Sequence, residues 1–227
     1  MPSAIFSLPR YETASEWSYP YLKETVDYFR AKGFIVYDEN PEHAVKDILY
    51  NDLRVAEAPK VFLGCGHGNE TTFTGQNDNV IFESCNYPKD VIKDVGIFLY
   101  SCLTAHDLGK DFIAKGARAY IGWLYYAYVG EPNTEYDSIQ KVIRDAWKKL
   151  ADGWSFGSVY NWMVSQYLSL ADKYKETIPD LACIHAIMGK LSTCYGEKAY
   201  SVVRVPSVML AIVIAMMLLL LLIVLVI

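Results

Sequence analysis

The chain predicts an α/β protein, with a mostly parallel sheet covered by helices on both faces and one C-terminal transmembrane helix after it. Three observations carry that expectation. Short apolar runs rich in β-branched and aromatic residues alternate with helix-length amphipathic segments, the pattern of strands joined by crossover helices. The run at 94–101 (DVGIFLYS) is apolar without alternation from Val95 to Tyr100, as a strand buried on both faces should be. Residues 207–227 (SVMLAIVIAMMLLLLLIVLVI) contain no charge, Gly or Pro. As a helix that run spans about 30 Å, the hydrocarbon thickness of a bilayer. A buried core helix is the alternative, but a soluble core rarely supplies one that is apolar on every side.

In chain order, Tyr19, Leu22, Val26 and Phe29 recur at helical spacing and stop at Gly33. A short strand follows at 34–37. Ala44, Ile48 and Leu49 mark a second helix that closes before Pro59. The next strand, 60–64, runs directly into a Gly-rich turn. The strand at 94–101 leads to a helix at 106–115 ended by Gly116, and a fourth strand occupies 119–123. Longer helices are predicted at 133–151 and 155–174, with Ile139, Val142, Ala146, Trp147 and Leu150 forming the buried stripe of the first. There is no internal repeat and no low-complexity linker. The expected division is a head, 1–205, and a C-terminal anchor, 206–227.

A head of about 200 residues can bury a sizeable core as one domain. The net charge is −5 and the basic residues are scattered, which argues against a nucleic-acid partner. The N-terminal stretch lacks a basic region followed by an apolar one, so no cleavable signal peptide is expected. Lys198 and Arg204 precede the apolar run, which places the head of this tail-anchored, single-pass arrangement in the cytoplasm. Five cysteines without compact spacing fit reduced thiols better than a disulfide framework.

In parallel α/β sheets reactive groups gather beyond the carboxyl ends of the strands. Two strand ends stand out here. One gives Gly64-Cys-Gly-His-Gly-Asn69, a turn whose glycines permit close backbone approach or positive φ and which presents His67. The other gives Tyr100-Ser-Cys-Leu-Thr-Ala-His-Asp-Leu-Gly109, with Cys102 between a strand and a helix. A thiol at a helix N-terminus is biased toward the thiolate. Neighbouring parallel strands would bring Cys102 and His67 to one sheet edge, and a thiol beside an imidazole is the minimum equipment for acyl transfer. Each residue also has a plainer role open to it: Cys102 as a small core residue, His67 as a turn histidine satisfied by backbone.

The order of these motifs resembles the gingipain-type cysteine peptidases of the caspase–hemoglobinase fold group. It comprises Gly66-His67-Gly68, then Ser101-Cys102-Leu-Thr, then Leu108-Gly109, Phe112 and Gly116-Ala-Arg-Ala-Tyr-Ile-Gly-Trp123. Leu150-Ala-Asp-Gly-Trp-Ser-Phe-Gly157 resembles the family's helix–Gly–helix step. Tyr195-Gly196-Glu197 stands where the family has a Gly-Asp-Pro turn before a last strand. The likeness extends over residues 20–205.

The resemblance implies that Cys102 is the nucleophile, His67 the catalytic histidine, and the amides of Gly68 and Cys102 the oxyanion hole. It implies cleavage of peptide or protein substrates through a thioester, by a dyad with no mandatory third member, no cofactor and no metal. The alternative of another class is a catalytically silent relative acting as a membrane-anchored scaffold or peptide-binding module. The substrate pocket is expected along 124–136, with Glu131, Glu135 and Trp123 as lining residues. Acidic residues there would favour Arg or Lys before the scissile bond; solvated loop carboxylates are the plainer reading of the two glutamates. Some of the tyrosines at 120–128 would line the same groove. The departures are Ala105 in place of a common Gly, Glu197-Lys198 in place of Asp-Pro, and no caspase-type signature around Cys102.

Other constellations are weaker. Cys65, His67, Cys102 and His106 would supply four soft ligands for zinc, but without paired Cys-x-x-Cys spacing. His106 reads more simply as a solvent-facing residue of a first helical turn, and Cys65 as a buried strand-end residue. Cys183, Cys194, His43 and His185 stand in no constellation. An esterase of the α/β-hydrolase type would need a Gly-x-Ser-x-Gly elbow, which the chain lacks.

Overall fold

Apolar runs alternating with amphipathic helices give the described chain a three-layer arrangement. The structure, a computed structural model, describes residues 1–37 and 40–203. In order these form β1 (Ser3–Ser7), α1 (Thr13–Ala31), β2 (Ile35–Tyr37), α2 (Lys46–Val55), β3 (Lys60–Cys65), β4 (Thr72–Thr74) and β5 (Val80–Glu83). There follow α3 (Lys89–Ile92), β6 (Val95–Tyr100), α4 (Asp107–Ala114), β7 (Ala119–Trp123), α5 (Ser138–Ala151), α6 (Phe156–Tyr174), α7 (Pro179–Lys190) and β8 (Ser192–Gly196).

The main sheet has the order β2-β1-β3-β6-β7-β8. All neighbours are parallel except β8, which runs antiparallel to β7 at the edge. Residue alternation along each strand feeds two cores. Val61, Leu63, Cys65, Phe98, Tyr100, Ile121 and Trp123 pack with α1, α5, α6 and α7. Phe62, Ile97, Leu99 and Tyr120 pack with α2, α3, α4 and the β4–β5 hairpin on the other side. The helices therefore do cover both faces.

Gly33 and Gly116 end α1 and α4 at φ of +83° and +104°, the left-handed conformation that glycine adopts without penalty. The 133–151 helix begins later than its periodicity predicts, at Ser138, after a 3₁₀ turn over Glu135–Asp137. The 155–174 helix begins at Phe156, with the Ser155 hydroxyl accepting from the Ser158 amide at 3.3 Å. Tyr195-Gly196-Glu197 closes the last strand instead of preceding it, because β8 already spans Ser192–Gly196. The boundary at 205/206 and the apolar run 207–227 lie outside the described residues. Among those described, no helix is long and apolar enough to cross a membrane.

Candidate active site

The sheet changes winding direction between β1 and β3: β2 lies to one side of β1, and β3, β6 and β7 succeed one another on the other. The carboxyl ends of strands at such a switch point bound a crevice. Here the crevice is a cleft of about 440 Å³. Its walls come from the start of α1, the turn after β3, the turn after β6 and the segment 126–129.

Register explains how His67 and Cys102 reach the same cleft. Cys65 pairs with Tyr100 as the last rung between β3 and β6. His67 and Cys102 each stand two residues past that rung, and both line the cleft. The Gly64-Cys-Gly-His-Gly sequence is explained by close approach, not by positive φ: neither Gly66 nor Gly68 has one. A Cβ on Gly66 would lie 2.1 Å from the Thr74 carbonyl oxygen. One on Gly68 would lie 2.3 Å from Ser101 Oγ and 2.8 Å from the Cys102 carbonyl oxygen. Bare glycine lets the His67 turn lie directly on the Cys102 turn. Among the described residues, neither the Gly68 nor the Cys102 N–H donates a hydrogen bond. The only ladder contact of Gly68, an isolated bridge to Phe73, is carried by its neighbours: Asn69 N–H to Thr72 O and Thr74 N–H to His67 O, both at 3.0 Å.

The electrostatics of Cys102 differ from the expectation. The helix after it begins at Asp107, so the thiol lies beyond the reach of the dipole, which fades within the first turn. Burial pushes the thiol above its ordinary range, and the Ala127 N–H, 3.4 Å from Sγ, offsets this only in part. Leu103, the next residue, has a φ of +60°, strained for a branched side chain. Its N–H donates to Tyr125 O at 2.9 Å, which fastens the turn to the 123–127 segment.

His67 is half exposed, with Nε2 3.8 Å from Glu12 Oε1 and its ring edge-on to Tyr11. Glu12 is the N-cap of α1 and accepts from Ser15 N at 2.7 Å and Ala14 N at 2.9 Å. Sequence reasoning missed it. The only local signal was Glu12 three residues before Ser15, the reciprocal pair of a capping box in reversed order. Trp17, on the same helix, and Ser101 also line the cleft. The Ser101 hydroxyl is buried and has no partner among the described residues.

Other anticipated residues lie elsewhere. Trp123 is fully buried in β7, packed against Phe98 and Tyr100, with its indole N–H on the Met188 carbonyl at 3.0 Å. Glu131 is exposed and lies outside the cleft. Glu135 lines a separate polar groove with Lys141 and Lys173 and accepts from the Tyr174 hydroxyl. Tyr126 and Tyr128 do line the cleft, whereas Tyr120 is buried on the opposite sheet face. His106 is only partly exposed: it is the residue before α4, and its Nε2 meets the Leu124 carbonyl at 3.0 Å. Cys65 is buried at the cleft floor beside Ser18 Oγ, 3.4 Å away, and burial raises its thiol to about 12. All five cysteines are free thiols. Among the described residues no group of three or more His, Cys, Asp or Glu is placed to hold a metal ion.

The fold and cleft together define a mixed α/β protein whose mostly parallel sheet carries a cysteine and a histidine at its carboxyl edge. No protein-family model matches the chain, and no curated protein does. Among solved structures it is similar to caspase-1 from Spodoptera frugiperda, with a TM-score of 0.49 and 9% identity over 86% of each chain.

Proposed function

We propose that the protein is a membrane-tethered cysteine endopeptidase of the gingipain-like type, using Cys102 and His67. The observation that carries this reading is that both side chains line one cleft beyond adjacent parallel strands, where the Gly68 and Cys102 amides have no acceptor among the described residues. In the proposed reaction the Cys102 thiol gives its proton to His67 and the sulfur attacks a peptide carbonyl. The two amide N–H groups donate to the developing oxyanion; such preorganised donors typically supply a few kcal/mol of transition-state stabilisation. The imidazolium then protonates the leaving amine, and water hydrolyses the thioester with His67 as base. Anchoring through 207–227 would confine substrates to membrane proteins or those recruited nearby.

Replacing Cys102 with Ala in the full-length chain should abolish both cleavage of a varied peptide library and labelling by a peptidyl acyloxymethyl ketone. Folded wild-type protein that neither cleaves nor labels would overturn the reading. One observation favours a second reading, the silent scaffold: the thiol is more than half buried, raised above its usual range and engaged by Ala127. The two readings part on whether the acyloxymethyl ketone modifies Cys102.

A further inference from the structure

The chemistry of the cleft wall bears on which substrates fit. Trp17, Tyr100, Tyr126, Tyr128 and Val129 give it an aromatic and aliphatic surface. Among the described residues no Lys or Arg lines it, and Glu12 supplies its one carboxylate. Both oxygens of that carboxylate already accept α1 amides, and the helix N-terminus offsets its charge. The Tyr100 hydroxyl is likewise committed, donating to the Tyr128 carbonyl. Apart from the His67 ring and the Ser101 hydroxyl, what remains for an incoming side chain is apolar surface. An ionic group entering would lose hydration and find no uncommitted opposite charge, whereas an aromatic or large aliphatic one would gain by burial. At about 440 Å³ the cleft is within the range of pockets that enclose a ligand. At its rim Tyr126 is 51% exposed and meets the Tyr125 ring edge-on at 4.8 Å, an apolar surface left open beside Cys102.

Resting on the peptidase reading, we propose that this cleft takes a bulky apolar side chain, aromatic or large aliphatic, from the substrate residue that precedes the scissile bond. The acidic side chains of the 124–136 segment take no part in that choice, since neither Glu131 nor Glu135 lines the cleft. Trp17 and Val129 set the preference from two different elements, the first turns of α1 and the segment after β7.

The test uses the full-length chain in detergent and fluorogenic peptides that differ only in the residue before the scissile bond: Phe, Leu, Arg or Asp. Phe and Leu substrates should exceed Arg and Asp by about ten- to a hundredfold in kcat/KM, the span that burial of one apolar side chain provides. Trp17→Ala should shrink the Phe advantage, chiefly through KM. Val129→Glu, a change outside α1, should raise the Arg substrate relative to Phe. If the Arg or Asp peptide is cleaved fastest and Cys102→Ala is inert toward it, the apolar pocket is overturned while the peptidase reading stands. An unaltered Phe-to-Arg ratio in both variants also overturns it. If folded protein cleaves none of the peptides and takes up no acyloxymethyl ketone, the peptidase reading itself falls, and the pocket assignment with it.

Discussion

The Ala127 amide points at the Cys102 sulfur across 3.4 Å, tying the nucleophile candidate to the segment that forms one wall of its own cleft. A lone N–H is a weak stabiliser of a thiolate, and burial outweighs it, so the thiol is held above its ordinary range. Alkylation of Cys102 by iodoacetamide, followed by peptide mass spectrometry, should therefore rise with pH through a midpoint above the ~8.5 of a model thiol. Exposed Cys85 and Cys183 provide internal comparisons in the same sample. A Cys102 midpoint below that of a model thiol would contradict this account of its environment.

Gly68 sits where two turns touch. An added methyl at that position meets Ser101 Oγ, Thr104 Cγ2 and the Cys102 carbonyl oxygen, all within 2.8 Å. Gly68→Ala should push the His67 turn off the Cys102 turn, and overpacking of this kind costs about 1–3 kcal/mol. Peptide cleavage should fall more steeply than that destabilisation explains, since the separation opens between the two proposed oxyanion donors. Gly66→Ala offers the contrast: its methyl would strike the Thr74 carbonyl oxygen at 2.1 Å, a backbone contact with the hairpin. That variant should show its effect first in melting temperature.

How much of this was legible beforehand follows from local chemistry. The strands at β3, β6 and β7 could be read because burial on both faces leaves unbroken apolar runs such as Val95–Tyr100. β1 could not: Ser3-Ala-Ile-Phe-Ser7 is short and bounded by serines, and all five residues are buried only because β2 and β3 flank it. Missing β1 meant missing the turn after it, and with it Glu12 and Trp17. α7 was hidden for another reason, its apolar residues being spread around the helix instead of along one stripe. His67 and Cys102 were legible because each lies just past a readable strand end. Trp123 misled because it shares its face with Ala119 and Ile121, and that face is covered by helices.

Glu12 links α1 to the cleft. Its carboxylate satisfies two amides at the start of a 19-residue helix and lies 3.8 Å from His67 Nε2. Glu12→Ala should cost about 1 kcal/mol, the usual loss on removing an N-cap acceptor, seen in urea titration. Glu12→Gln keeps one carbonyl oxygen for capping and should recover part of that stability. Equal midpoints for the wild type and both variants would show that the cap contributes nothing.

His185 predicts a pH response far from the cleft. It is fully buried between the rings of Tyr167 and Tyr174. Ser138 spends its proton on the Glu135 carbonyl at 2.6 Å, so the ring donates to Ser138 Oγ from Nε2 at 2.9 Å. Nδ1 is left without a partner among the described residues. Burial, with a smaller contribution from Lys173, lowers the ring to about 4. The folded state thus holds a neutral imidazole at pH values where the unfolded chain, with an ordinary value near 6.5, binds a proton. Stability is therefore full above pH ~6.5 and lost as pH falls from there toward 4, by about 3 kcal/mol in total. His185→Phe keeps an aromatic ring between the tyrosines and removes the titrating group. Urea unfolding at pH 7, 6, 5 and 4.5 should show a wild-type decline that is shallower in the variant, and parallel curves would rule His185 out as its source.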